Sequence, residues 1–131
     1  MLLHRRPRQS LLTARHCVRR IVTAMESAEQ LNGMIQSSKK LIVVDYWASW
    51  CMPCRRMTPV FERLSNEFTE QCEFVSVDIE KMCAVAKRME IMSIPTFDFI
   101  KDKKLVHRIT GEQPAALEHG IVEFVASTSE Q

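Results

Sequence analysis

Cys51 and Cys54, in the run Cys51-Met52-Pro53-Cys54, are the residues of this chain whose type and spacing best suit chemistry. At the head of a helix, an i,i+3 spacing stacks both sulfurs on one face of the first turn, close enough to join in a small disulfide ring. A helix N-terminus also presents unpaired N–H groups and the positive end of its dipole, which favour a thiolate on Cys51. Cys54, a turn deeper, is expected to be buried and protonated. One sulfur attacks a disulfide and the other resolves the mixed species, which is thiol–disulfide exchange.

A Cys-x-x-Cys pair is also half of a zinc site, and such a site needs two further ligands. The two other cysteines of the body, Cys72 and Cys83, fall at a strand start and in a helix with no motif around them, so no metal is expected. Cys17 completes an odd set of five, and no secretory feature accompanies it, which argues against a framework of structural disulfides. Asp45 stands six residues before Cys51 inside an apolar strand, where a charged carboxylate is costly and its pKa is expected to rise. The plainer reading of Asp45 is a carboxylate at a wet sheet edge.

The elements that must position these groups follow from the pattern of apolar residues. Leu41-Ile42-Val43-Val44-Asp45-Tyr46-Trp47 reads as a central strand covered on both faces, and the Cys51–Cys54 pair lies at its C-terminal edge. From Pro53 the pattern turns helical, with Met57, Val60, Phe61, Leu64 and Phe68 on one face and Pro59 expected to kink the helix. Ser27 and Gln30 read as a capping box that opens an earlier helix, and Ile21–Met25 is β-branched enough for a short first strand. A strand at Phe74–Ile79, a short helix around Val85, a strand from Pro95, a turn at Asp102-Lys103, a return strand Leu105–Ile109 and a helix from Pro114 complete the body. The order (β)αβαβαββα implies an α/β domain, a central mixed β-sheet with helices on both faces.

Trp47-Ala48-Ser49-Trp50-Cys51-Met52-Pro53-Cys54-Arg55, with Asp45 before it and Pro59 five residues after it, resembles the thioredoxin family. Ile94-Pro95-Thr96 and Gly111, sixteen residues beyond Pro95, match the same pattern, and the resemblance spans about residues 21–127. It implies the thioredoxin fold over 21–131 and a protein-disulfide reductase without a bound cofactor. Cys51 then corresponds to the family's exposed nucleophile, Cys54 to its resolving thiol and Asp45 to the carboxylate that relays the buried thiol's proton. Trp50, Met52, Ile94 and Pro95 would form the apolar lip that meets a substrate, and the Ile94–Pro95 bond is expected to be cis. Trp47, Pro53 and Pro59 would support the site.

Two departures stand out. Met52 occupies a position that is usually glycine, which bears on redox potential and partner range. Lys103 replaces a usual glycine in the hairpin turn, which should change only the turn type. The implied partners are disulfide-containing proteins, such as a peroxiredoxin, and a flavin- and NADPH-dependent thioredoxin reductase, with the protein acting as a monomer. Two other readings are a binding module that uses the same surface and a dithiol oxidase or isomerase. Retention of Cys51, Cys54, Asp45 and Pro95 disfavours the first, and the lack of a secretory signal disfavours the second.

Charge separates the chain into two parts. Six arginines and no acid lie in residues 1–25, and removing them from the 18 basic residues leaves 12 against 16 acids, so the body carries −4. Such a body is a poor nucleic-acid binder. No apolar run approaches the roughly 20 residues of a membrane span, so no membrane partner is expected. On a helix, Leu11, Ala14, Cys17, Val18, Ile21 and Val22 share one side and Arg5, Arg8, Arg15, Arg19 and Arg20 the other. That composition is expected of a mitochondrial transit peptide over residues 1–20, with the matrix as destination. A disordered basic arm is the alternative. Cleavage after Arg19-Arg20 spares the first strand, whereas an internal start at Met25 gives an untargeted, cytoplasmic form, and the sequence does not choose.

Overall fold

The strand Leu41–Trp47 (β2) runs through the centre of a five-stranded sheet, as its unbroken apolar character requires. The computed structural model describes residues 21–129, and the Arg-rich segment 1–20 with its expected targeting helix lies outside them. Strand β3 (Cys72–Asp78) pairs parallel to β2, and β1 (Val22–Ala24) adds parallel to the far side of β3. On the other side β4 (Thr96–Lys101) is antiparallel to β2, and β5 (Lys104–Thr110) closes that edge antiparallel to β4. The order is β1-β3-β2-β4-β5, a mixed sheet.

Successive residues of β2 point to opposite faces. Leu41 and Val43 join Phe74, Phe97 and Phe99 beneath two helices, α2 (Met52–Glu67) and α4 (Pro114–Ser129), which contribute Met57, Phe61, Leu64, Leu117 and Ile121. Ile42, Val44 and Tyr46 join Val75 and Val77 beneath α1 (Ala28–Ser37) and α3 (Cys83–Arg88), with Leu31, Met82 and Val85. Gly120 lets α4 lie close to β4, because a Cβ there would stand 2.9 Å from Phe99 Cζ.

Local details correct the sequence reading in places. Strand β3 begins at Cys72, two residues before the expected start, because Cys72 and Glu73 extend the ladder opposite Leu41 and Ile42. At α1 the Ser27 hydroxyl accepts the Gln30 amide at 3.0 Å, while the Gln30 carboxamide accepts the Glu26 amide at 2.7 Å, one residue before the N-cap. Helix α2 continues through Pro59, which has no N–H for the Arg55 carbonyl. In the hairpin, Asp102 and Lys103 take φ of 52° and 68°, so the turn is of the primed kind that suits twisted strands. Among the described residues no helix is long and apolar enough to cross a membrane.

Candidate active site

Helix α2 starts where β2 has just ended, and Cys51 is its N-cap residue. Its backbone there is extended rather than helical, at φ −90° and ψ 108°, which turns the side chain back over the first helical amides. The Cys54 amide donates to Cys51 Sγ at 3.2 Å, so a sulfur occupies the place of the usual capping oxygen. Cys51 and Cys54 are joined as a disulfide with their Cα atoms 5.3 Å apart. Ala48 is buried with the pair, and Trp47, Ile79 and Ile94 pack against all three.

The sequence reading expects Cys51 exposed and Cys54 buried, whereas the residues are 5% and 3% exposed. Trp47, Ile79 and Ile94 pack over the cluster that holds both. What distinguishes the sulfurs is therefore hydrogen bonding more than burial: only Cys51 accepts a helix amide, and that donor stabilises negative charge on Cys51.

Asp45 lies on the α2 side of the sheet and is 7% exposed. Its Oδ1 is buried without a hydrogen-bond partner, and burial pushes its pKa up to about 7 from an ordinary 3.8. The carboxylate is thus withdrawn from the surface. Asp45 lines a cavity of about 200 Å³ together with Trp47, Thr58, Phe61, Glu62, Ser76 and Val22. Its wall is more apolar than polar, but Thr58, Glu62 and Ser76 beside Asp45 give a cavity of this size both room and partners for water.

The apolar residues fall around the pair as follows. Trp50 is 63% exposed and Met52 54% exposed. The Trp50 indole donates to Glu80 Oε2 at 2.9 Å, and Glu80's own amide donates to Asp78 Oδ1 at 2.9 Å. The Arg55 guanidinium reaches back to the Ser49 carbonyl at 3.1 Å and to Met52 Sδ at 3.9 Å. The Ile94–Pro95 peptide is cis, Ile94 is half-buried against the disulfide, and Pro95 is buried. Gly111, at φ 96°, donates its amide to the Pro95 carbonyl at 2.8 Å, which explains a glycine at that position. Pro53 is half-buried in the first turn of α2, and Pro59 is exposed farther along the helix, away from the sulfurs in sequence.

Sequence reasoning missed Glu80, which holds Trp50 from thirty residues away. It missed the cavity wall as well, since Val22, Glu62 and Ser76 carry no motif. Cys72 is buried in β3, where burial pushes its thiol up to about 12, and Cys83 is exposed on α3. Among the described residues no three His, Cys, Asp or Glu side chains stand close enough to share a metal ion.

Residues 22–125 match the family model described as Thioredoxin. The chain is 34% identical over 105 residues to Thioredoxin-2 of Saccharomyces cerevisiae, which covers 80% of this chain and all of that protein. It superposes on the oxidised crystal structure of mitochondrial thioredoxin 3 from Saccharomyces cerevisiae with a TM-score of 0.73 at 31% identity, covering 78% of this chain and 94% of that one. A chain from the structural study of thiol resolution in yeast mitochondrial 1-Cys peroxiredoxin, by the glutathione and thioredoxin systems, gives a TM-score of 0.73 at 30% identity, covering 78% and 94%.

Proposed function

The chain belongs to the thioredoxin family and is a protein-disulfide oxidoreductase acting through Cys51 and Cys54, and we propose that Cys51 attacks, Cys54 resolves and Asp45 takes up and returns the proton of Cys54. The observation that carries this assignment is the helix amide donated to Cys51 Sγ alone. In the reduced protein the Cys51 thiolate attacks a substrate disulfide, forming a mixed disulfide and releasing one substrate thiolate, which takes a proton. Asp45, ionised, receives the Cys54 proton through water in its cavity. The Cys54 thiolate then attacks Cys51 Sγ, expels the second substrate thiolate and leaves the Cys51–Cys54 disulfide. Two electrons have passed to the substrate. A carboxyl with a pKa of about 7 suits this step, because near neutral pH it both takes up and returns a proton.

Trp50, Met52, Ile94 and Pro95 receive the substrate, with Trp47, Pro53 and Pro59 supporting the site. An extended peptide lying along the Ile94 backbone would meet the sulfurs as an added short strand. The exposed Met52 side chain, adaptable and apolar, bears on partner choice. Residues 1–20 direct the protein to the mitochondrial matrix, where a peroxiredoxin is a fitting substrate and a flavin-dependent reductase the donor. Support comes from the acid-free, Arg-rich composition of that segment.

Insulin reduction tests the chemistry. Cys51→Ser should abolish turnover, and Cys54→Ser should accumulate a mixed disulfide on Cys51. A mixed disulfide that accumulates on Cys54 in Cys51→Ser, or on Cys72 in either variant, overturns the assignment. A fluorescent fusion of residues 1–25 tests the address: it should enter mitochondria and remain in the cytosol when Arg15, Arg19 and Arg20 become Glu.

A further inference from the structure

Asp98 sits in the middle of β4 with no solvent exposure, and lies against the buried ring of Tyr46 on the face covered by α1 and α3. Its register partner on the edge strand β5 is Arg108. The guanidinium grips the carboxylate with two bonds, Nε to Oδ1 at 2.6 Å and Nη2 to Oδ2 at 2.8 Å. A cross-strand ion pair would be complete at that point. Arg108 instead reaches past Asp98: Nη2 also donates to the Met89 carbonyl at 2.8 Å, and Nη1 donates to the Glu90 carbonyl at 3.3 Å.

Those two carbonyls close α3, where Glu90 takes the left-handed φ of 57° although it is not glycine. They also begin the segment that ends in Ile94 and Pro95. The far end of that segment is held by Thr96, whose hydroxyl donates to the Ser93 carbonyl at 2.7 Å, and by the Gly111 amide on Pro95. Arg108 holds the near end. The planar fork with its five donors is what allows one side chain to bind a carboxylate and two backbone carbonyls together, and a lysine ammonium cannot reproduce that pattern.

We propose that Arg108 is a positioning residue for disulfide reduction: by tying the Met89 and Glu90 carbonyls to the β4–β5 hairpin, it fixes the segment whose Ile94 backbone receives an extended substrate beside the disulfide. The proposal rests on the docking of substrate along Ile94 given above. Arg108 does not touch the sulfurs. Its loss should therefore leave the reduction potential and the reduction of a small-molecule disulfide unchanged, while slowing reactions that need the segment as a template.

The test compares rates with a disulfide-bonded extended peptide and with cystamine. Arg108→Lys keeps a charge beside Asp98 and loses the carbonyl bonds. It should lower the peptide-to-cystamine rate ratio at least about tenfold, as expected for losing hydrogen bonds from a charged donor, with faster amide exchange over residues 91–93 and an unchanged potential. Should that variant fail to fold, Asp98→Asn with Arg108→Gln keeps a neutral cross-strand contact and serves the same comparison. Asp98→Asn alone keeps the carbonyl ties and should lower stability without changing the ratio. A lowered unfolding midpoint with an unchanged ratio in Arg108→Lys overturns the proposal, as does an equal fall of the ratio in Asp98→Asn. A substrate peptide N-methylated at the residue beside its cysteine separates the two levels. If it reacts as fast as the unmodified peptide, docking along the Ile94 backbone is wrong; if it reacts more slowly while Arg108→Lys leaves the ratio unchanged, only the role of Arg108 is wrong.

Discussion

Asp45 and Asp98 occupy neighbouring antiparallel strands, each within an apolar run, and both are buried. They face opposite sides of the sheet and have opposite surroundings. Asp98 is held in a guanidinium fork, whereas Asp45 has a buried oxygen with no partner and a cavity beside it. Burial alone therefore does not say what a carboxylate is for. A paired one ties strands and loops together. An unpaired one is pushed into the pH range where it exchanges protons.

The largest effect that would break this contrast is on the Asp98 side. Arg108→Met should strip a buried charge of its partner and cost about 3–5 kcal/mol of stability at neutral pH. Urea denaturation measures it, and a cost near zero would mean that Asp98 is as tolerant of isolation as Asp45.

The Asp45 side should behave in the opposite sense. Its pKa is about 7 in the folded protein against 3.8 for an ordinary aspartate, so the folded state holds the proton more tightly. Stability is then greatest below the unfolded value and falls as pH rises through the folded one. Asp45→Asn should leave stability near that of the parent at pH 3.5 and raise it at pH 8, by no more than about 4 kcal/mol for a shift of this size. Urea titrations of the oxidised protein at both pH values check it, and a gain independent of pH would place its origin outside ionisation.

The smallest effect sharpens the comparison by changing only the surroundings. Arg56 and Glu112 form a fork as well made as the one at Asp98, with Nε to Oε2 and Nη2 to Oε1 both at 2.8 Å, but at the surface. The guanidinium still holds the Glu112 carboxyl below its ordinary range. Water screens such a pair, so Glu112→Gln should not move the thermal midpoint beyond the scatter of replicate melts.

The strand and helix order was legible because each element carries its own periodicity, from the apolar run of β2 to the stripe of α2. The raised pKa of Asp45 was legible too, from the apolar strand around it. Asp98 in Phe97-Asp98-Phe99 offers the same local picture as Asp45 in Val44-Asp45-Tyr46, and nothing within a few residues distinguishes them. Their difference lies in Arg108, ten residues on, and in the cavity wall drawn from β1, β3 and α2. Glu80 under Trp50 and the close approach at Gly120 were hidden for the same reason. The burial of Cys51 could not be read from spacing, because spacing places a sulfur on a helix face without saying what folds over it.

Cys51 is at once a reacting atom and the cap of α2, and that coincidence makes the first turn of the helix an indicator of redox state. A thiolate is a stronger acceptor than a disulfide sulfur. The Cys54 amide, 3.2 Å from that sulfur, experiences the change directly. Its proton resonance should move downfield when the disulfide opens to a thiolate, and should titrate with Cys51 thereafter. One backbone nitrogen thus reports the charge on Cys51 without any label on the sulfur itself.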